Sequence, residues 1–156
     1  MGLMKIELIK ASLGDIQEMQ ELVAPEIESG VILVRSDDEI ATNIRSYILA
    51  KDADKLVGFC ALHIHAPSLA ELRSLIVKED YRAKKIGEQL VNKAIEEASI
   101  LGLEKVLSLT YKQSFFERLG FIEIPKESLP EHKIWADCIK CKHFPVCNEV
   151  SLIKTL

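Results

Sequence analysis

Glu71, Arg73 and Ser74 are the polar residues in an otherwise apolar run at 69–77. A carboxylate, a guanidinium and a hydroxyl on one predicted strand must face something polar. Shortly afterwards comes Arg82-Ala83-Lys84-Lys85-Ile86-Gly87, immediately before a long run of helical period. A strand, a basic turn and a helix start in that order aim unpaired amides and aligned peptide dipoles at one spot, which suits an anion such as a pyrophosphate. Gly87 permits close backbone approach, and Arg82, Lys84 and Lys85 add positive charge. The spacing fits an ordinary strand-to-helix turn with solvated lysines equally well, so the rest of the chain has to decide.

The elements that position these residues follow from periodicity. Residues 5–9 alternate as a short strand, and Leu13, Ile16, Met19 and Val23 recur at helical spacing until Pro25 interrupts. Ser36-Asp37-Asp38-Glu39 fits a capping box, with Ile40, Ile44 and Tyr47 as the apolar face of the helix it opens. Residues 46–51 and 55–65 flank the polar turn Asp52-Ala53-Asp54, which predicts an antiparallel hairpin. From Gly87 onward, Leu90, Val91, Ala94, Ile95, Ala98 and Leu101 form the longest helix, and Gly102 supplies its stop. Residues 106–110 read as a strand, 115–119 as a short helix ending at Gly120, 121–124 as extended chain, and 150–153 as a last strand. Strands outnumber helices and the central order is strand, helix, strand, which predicts an α/β sheet of mixed direction.

Composition narrows the function. The chain has 156 residues, which suits one domain spanning 1–156. A net charge of −4 with scattered basic residues argues against a nucleic-acid partner. The longest stretch without Lys, Arg, Asp or Glu, 56–70, is too short to span a bilayer, which excludes a transmembrane helix. An acid at Glu7 interrupts any secretory core, so a cytoplasmic location is expected.

The basic turn resembles the signature of the GNAT acetyltransferase superfamily: Arg or Gln, two residues, Gly, one residue, then Gly or Ala. The match opens at Arg82 and closes at Gly87, with Lys85 where the family usually has its first glycine. Phe115-Phe116-Glu117-Arg118-Leu119-Gly120-Phe121 is similar to the family's Phe-Tyr-x-x-x-Gly-Phe element. Residues 30–36, 61–64, 70–75 and 109–111 taken together look like the short, stand-alone N-acetylglutamate synthases, over nearly the whole chain.

The resemblance implies a mixed, mostly antiparallel twisted sheet of about six to seven strands, flanked by helices and splayed between the fourth and fifth strands. It places the pantetheine of acetyl-CoA along Leu75, Ile76 and Val77, the pyrophosphate in the turn formed by Arg82, Ala83, Lys84, Lys85, Ile86 and Gly87, and the thioester near Glu71. Direct transfer to an amine needs a proton acceptor, because an ammonium is not nucleophilic. Glu71 is the candidate base, and a structural ion pair with Arg73 is the alternative. Many family members use the tyrosine of the Phe-Tyr element as acid. Phe116 has no hydroxyl, so Tyr111 is the replacement, with a packing role as its alternative. Arg35, which follows an apolar run at 31–34, and Arg73 are the candidates for binding substrate carboxylates, with Arg45 in reserve. The implied activity is N-acetylation of a small acidic amino acid, most simply glutamate at the entry to arginine biosynthesis. No amino-acid-kinase-like domain is expected in cis, and a homodimer is left open.

Residues 125–148 form an insertion before the last strand, with Cys138, Cys141 and Cys147 and with His132 and His143 nearby. Three thiolates and an imidazole suit zinc, but the loose spacing and the absence of a second Cys-x-x-Cys leave that site uncommitted. Trp135 either covers the cleft or anchors this loop, and Cys60 reads as a small buried thiol. Two other functions share the scaffold: acetylation of another small amine or a protein N-terminus, and a non-catalytic acyl-CoA-binding or metal-sensing module.

Overall fold

The computed structural model describes residues 5–30, 32–128 and 149–156. Cys138, Cys141, Cys147, His132, His143 and Trp135 lie outside them. The elements run β1 (Ile6–Lys10), α1 (Ile16–Glu28), α2 (Asp37–Thr42), β2 (Tyr47–Asp52), β3 (Lys55–Ala66), β4 (Leu69–Val77), α3 (Ile86–Leu101), β5 (Lys105–Thr110), α4 (Gln113–Arg118), β6 (Ile122–Ile124) and β7 (Val150–Thr155). They build one sheet of seven strands in the order β1-β2-β3-β4-β5-β7-β6. Every neighbouring pair is antiparallel except β4 and β5.

Both faces of the sheet are covered, which explains why β2 and β3 read as nearly continuous apolar runs. Side chains alternate along each strand. Ile48, Val57, Cys60, Leu62 and Leu72 pack with Leu90, Val91 and Ala94 of α3. On the other face Tyr47, Leu49, Phe59 and Ile76 meet Met19, Val23 and Ile40 of α1 and α2. Cys60 lies fully inside the first cluster, where burial pushes its thiol up to about 12.

Two irregularities shape the centre. The parallel register joins Leu69 to Lys105, Ala70 to Val106 and Glu71 to Leu107 and goes no further, so β4 and β5 part at Glu71. On the other side of β4, Phe59 pairs with Ile76 but Ala61 pairs with Arg73, so β4 carries an extra residue there. The bulge holds Ser74 at a φ of 58°.

Several local expectations are corrected. Pro25 lies inside α1 instead of ending it. The amide it lacks costs one helical bond, yet the ladder resumes where Ser29 donates to the Pro25 carbonyl at 3.1 Å. The Ser36 hydroxyl does accept from the Glu39 amide at 3.1 Å, but the helix it opens stops at Thr42 and a 3-10 turn follows at Ile44–Ser46. Tyr47 therefore opens β2 rather than extending a helical face, with its ring edge-on to Phe59 at 5.9 Å. Helix α3 starts at Ile86, one residue before Gly87.

Candidate active site

Glu71 stands at the fork, paired to His63 on β3 and to Leu107 on β5, with 2% of its surface exposed. A carboxylate this deep needs polar partners. One is His65, whose Nε2 lies 2.9 Å from Glu71 Oε1. Arg73 Nη1 is 4.0 Å from the same oxygen, the outer limit of an ion pair, whereas Arg73 Nη2 lies 3.0 Å from His63 Nδ1. The two imidazoles meet edge-on at 4.8 Å. The ion pair of Glu71 with Arg73, the structural alternative to a base, is present at that limit and sits within a network that includes His63 and His65.

Arg35 lies in the segment before α2, which Gln20 of α1 pins by donating to the Arg35 carbonyl at 2.9 Å and to Asp37 Oδ1 at 3.0 Å. Its side chain is largely buried, 3.8 Å from the Glu39 carboxylate. Arg35 lines a shallow hollow together with Gln20, Ile40, Tyr47, Phe59 and Ser74. Burial raises the Tyr47 hydroxyl above the usual phenol range, and the charges of Arg35 and Arg73 both oppose that rise. Arg35 shares its hollow with Ser74, the residue that follows Arg73 on β4. Arg45, the reserve candidate, belongs to the 3-10 turn at Ile44–Ser46.

At the other end of β4 a 3-10 turn at Glu79–Tyr81 leads into the basic turn and α3. Lys85 caps α3 at a φ of 63°, and Ala83 has a φ of 64°. The left-handed conformation that favours glycine is retained with lysine in its place. Arg82 Nε donates to the Val77 carbonyl at 3.0 Å, and Nη2 donates to Glu26 of α1 at 3.0 Å, so this guanidinium ties the turn to two elements. Lys84 and Lys85 are exposed, while Ile86 is buried in the core. A Cβ at Gly87 would meet Phe115 no closer than 3.5 Å, so contacts within the chain leave room for one there.

Phe116 is buried, edge-on to Phe115 and Phe121, and is a core residue. Gly120, at a φ of 93°, ends α4 as Phe121 donates to the Phe116 carbonyl and Gly120 to that of Glu117. Tyr111 follows Thr110 at the end of β5, on the opposite arm of the fork, and is 41% exposed.

Four of these residues, Gln20, Tyr47, His63 and His65, carry no functional role in the sequence pattern, where Tyr47 reads only as part of an apolar helical face. The histidines recur at period two in an apolar strand, but a plain count across Pro67-Ser68 puts Ile64 opposite Glu71; an extra residue in β3 between Ile64 and Ala66 brings His63 there instead, and the sequence does not mark it. Among the described residues no group of three or more His, Cys, Asp or Glu could hold a metal ion. No helix among them is long and apolar enough to cross a membrane.

A mixed sheet forked between its fourth and fifth strands, with a buried carboxylate at the fork and a helix start at its mouth, defines an acyltransferase scaffold. Residues 43–123 match the acetyltransferase (GNAT) domain, and the chain belongs to the GNAT acetyltransferase family. An uncharacterized N-acetyltransferase of Chlorobaculum tepidum is 38% identical over 146 residues, which cover 94% of each chain. An amino-acid acetyltransferase of Enterobacter sp. is 28% identical over 130 residues, 81% of this chain but only 29% of that protein. This chain thus spans under a third of the length of that relative. Among solved structures, N-acetylglutamate synthase from Neisseria gonorrhoeae, complexed with coenzyme A and N-acetyl-glutamate, superposes with a TM-score of 0.86 at 23% identity, covering 99% of this chain and 36% of that one. A Mycobacterium tuberculosis protein in complex with CoA gives 0.81 at 21% identity, covering 96% and 99%.

Proposed function

We propose that this acetyltransferase moves the acetyl group of acetyl-CoA onto the α-amine of a small acidic amino acid, most simply L-glutamate, by direct transfer in a ternary complex. The observation that carries the reading is the burial of Glu71 at the fork beside Arg73, with Arg35 and Ser74 lining one hollow. The amino-acid acetyltransferase relative and the synthase neighbour support the choice of acceptor.

In this reading the edge that β4 exposes as it leaves β5, at Leu75, Ile76 and Val77, pairs with the pantetheine arm. The amides at the start of α3, with Ala83, Lys84, Lys85, Ile86 and Gly87, receive the pyrophosphate. Arg82 holds that turn in place through Val77 and Glu26. Arg35 and Arg73 take the two carboxylates of the acceptor through charge-assisted bonds. Glu71 accepts the ammonium proton, the amine nitrogen bonds to the thioester carbon, the carbon–sulfur bond breaks as Tyr111 protonates the departing thiolate, and the second proton, shed by the nitrogen as it becomes an amide, restores the Tyr111 phenol. The N-acetylated product class places the enzyme at the entry to arginine biosynthesis, in the cytoplasm.

Release of free thiol from acetyl-CoA, followed with the purified protein against a panel of amino acids and small amines, tests this. Glutamate-dependent release that Arg35→Ala weakens is the expected result. Release with neutral amines only would transfer the activity to a different acceptor class, and CoA binding without any turnover would reject the enzyme reading.

A further inference from the structure

The network around Glu71 determines where its protons sit. Arginine has donors only, so in the 3.0 Å contact with Arg73 Nη2 the Nδ1 of His63 must accept, which makes that imidazole neutral with its proton on Nε2. The contact between Glu71 Oε1 and His65 Nε2, 2.9 Å long, is governed by the same logic. As a base Glu71 is ionised and only accepts, so in that role its partner His65 donates from Nε2. Both side chains of this pair are at most 5% exposed, and β3 fixes the imidazole from the strand that pairs with Glu71.

We infer that His65 is a positioning residue for Glu71: its Nε2–H holds the carboxylate in one rotamer and in the ionised, proton-accepting form at the fork. This inference rests on the reading of Glu71 as the base. Because Nε2 already carries a proton, the imidazole cannot take the substrate proton at that atom. Its role is to orient, not to relay. A glutamine at position 65 keeps a neutral N–H donor near the place of Nε2, whereas leucine keeps bulk and removes the donor.

The experiment compares His65→Leu, His65→Gln and Glu71→Gln in the thiol-release assay, with kcat and KM resolved for acetyl-CoA and for glutamate. His65→Leu is expected to lower kcat by roughly 10- to 100-fold, the usual consequence of losing a hydrogen bond to a charged group, at unchanged KM for acetyl-CoA. His65→Gln is expected to recover most of the loss. If His65→Leu keeps wild-type kcat while Glu71→Gln is inactive, the positioning role fails and the base assignment stands. If Glu71→Gln is fully active, the base assignment fails and this inference with it. If His65→Gln is as impaired as His65→Leu, the imidazole itself moves the proton and the positioning role is overturned. Should the leucine variant not fold, nitrogen-15 chemical shifts of His65 in the wild-type protein decide: an Nε2–H tautomer is expected, and an Nδ1–H tautomer contradicts the inference.

Discussion

The two ends of the cleft are made of different materials. Around Glu71 the site is made of side chains: a buried carboxylate, two histidines and Arg73, held by strands β3 and β4, whose register shifts on either side of Glu71. At the start of α3 it is made of backbone: Ala83 and Lys85 in the left-handed region, the first amides of the helix without intrahelical acceptors, and Lys84 and Lys85 exposed. The difference teaches that substitutions near Glu71 should change rates and selectivity, whereas those in the turn should act through conformation.

Glu71→Gln gives the largest expected effect, a loss of roughly 10²- to 10⁴-fold in kcat at neutral pH, because the amide keeps the shape and removes the base. Its binding of acetyl-CoA, measured by calorimetry, should be nearly intact. Loss of both together would show that the two ends are not separable. Arg35→Ala comes next, with KM for glutamate raised by about 10- to 100-fold through loss of charge-assisted bonds to a carboxylate, while KM for acetyl-CoA holds. A smaller change is expected for Tyr111→Phe, about tenfold in kcat; a side chain 41% exposed lets water replace it in part as the proton source. Wild-type turnover would remove Tyr111 as the acid.

The smallest effect belongs to the donor end and has the opposite sign. Lys85→Gly relieves a left-handed non-glycine residue and should raise stability by about 1 kcal/mol, read as a higher thermal midpoint. Lys85→Val should lower it, since a β-branched residue at positive φ is costlier. A lower midpoint for the glycine variant would mean that the lysine side chain, not the backbone, stabilises the turn.

The chain shows some of this plainly and hides the rest for physical reasons. The apolar run with Glu71, Arg73 and Ser74 marks β4 at its observed limits, because a strand packed on both faces must be apolar wherever it does not serve the site. Helix α3 is equally legible from its period and from Gly102, which takes a φ of 86°. The bulge at Ser74 is not legible, since it exists only as a mismatch in register between β3 and β4. Nor is the partnership of Arg82 with Glu26, which joins residues distant in the chain. Tyr47 was assigned to a helical face because its spacing from Ile40 and Ile44 fits one; Asn43 closes that helix by donating from its amide nitrogen and side chain to the Glu39 carbonyl, at 3.1 and 3.0 Å. The candidate zinc ligands lie outside the described residues.

The most direct test of the account is the pH dependence of thiol release for wild type and Glu71→Gln at saturating acetyl-CoA. A general base matters only while the acceptor is an ammonium. The account predicts that the variant, slow at neutral pH, gains about tenfold per pH unit as the free amine accumulates, so that the gap to wild type narrows steadily toward high pH. Parallel profiles, with the same ratio at every pH, would contradict it and assign Glu71 a structural place at the fork.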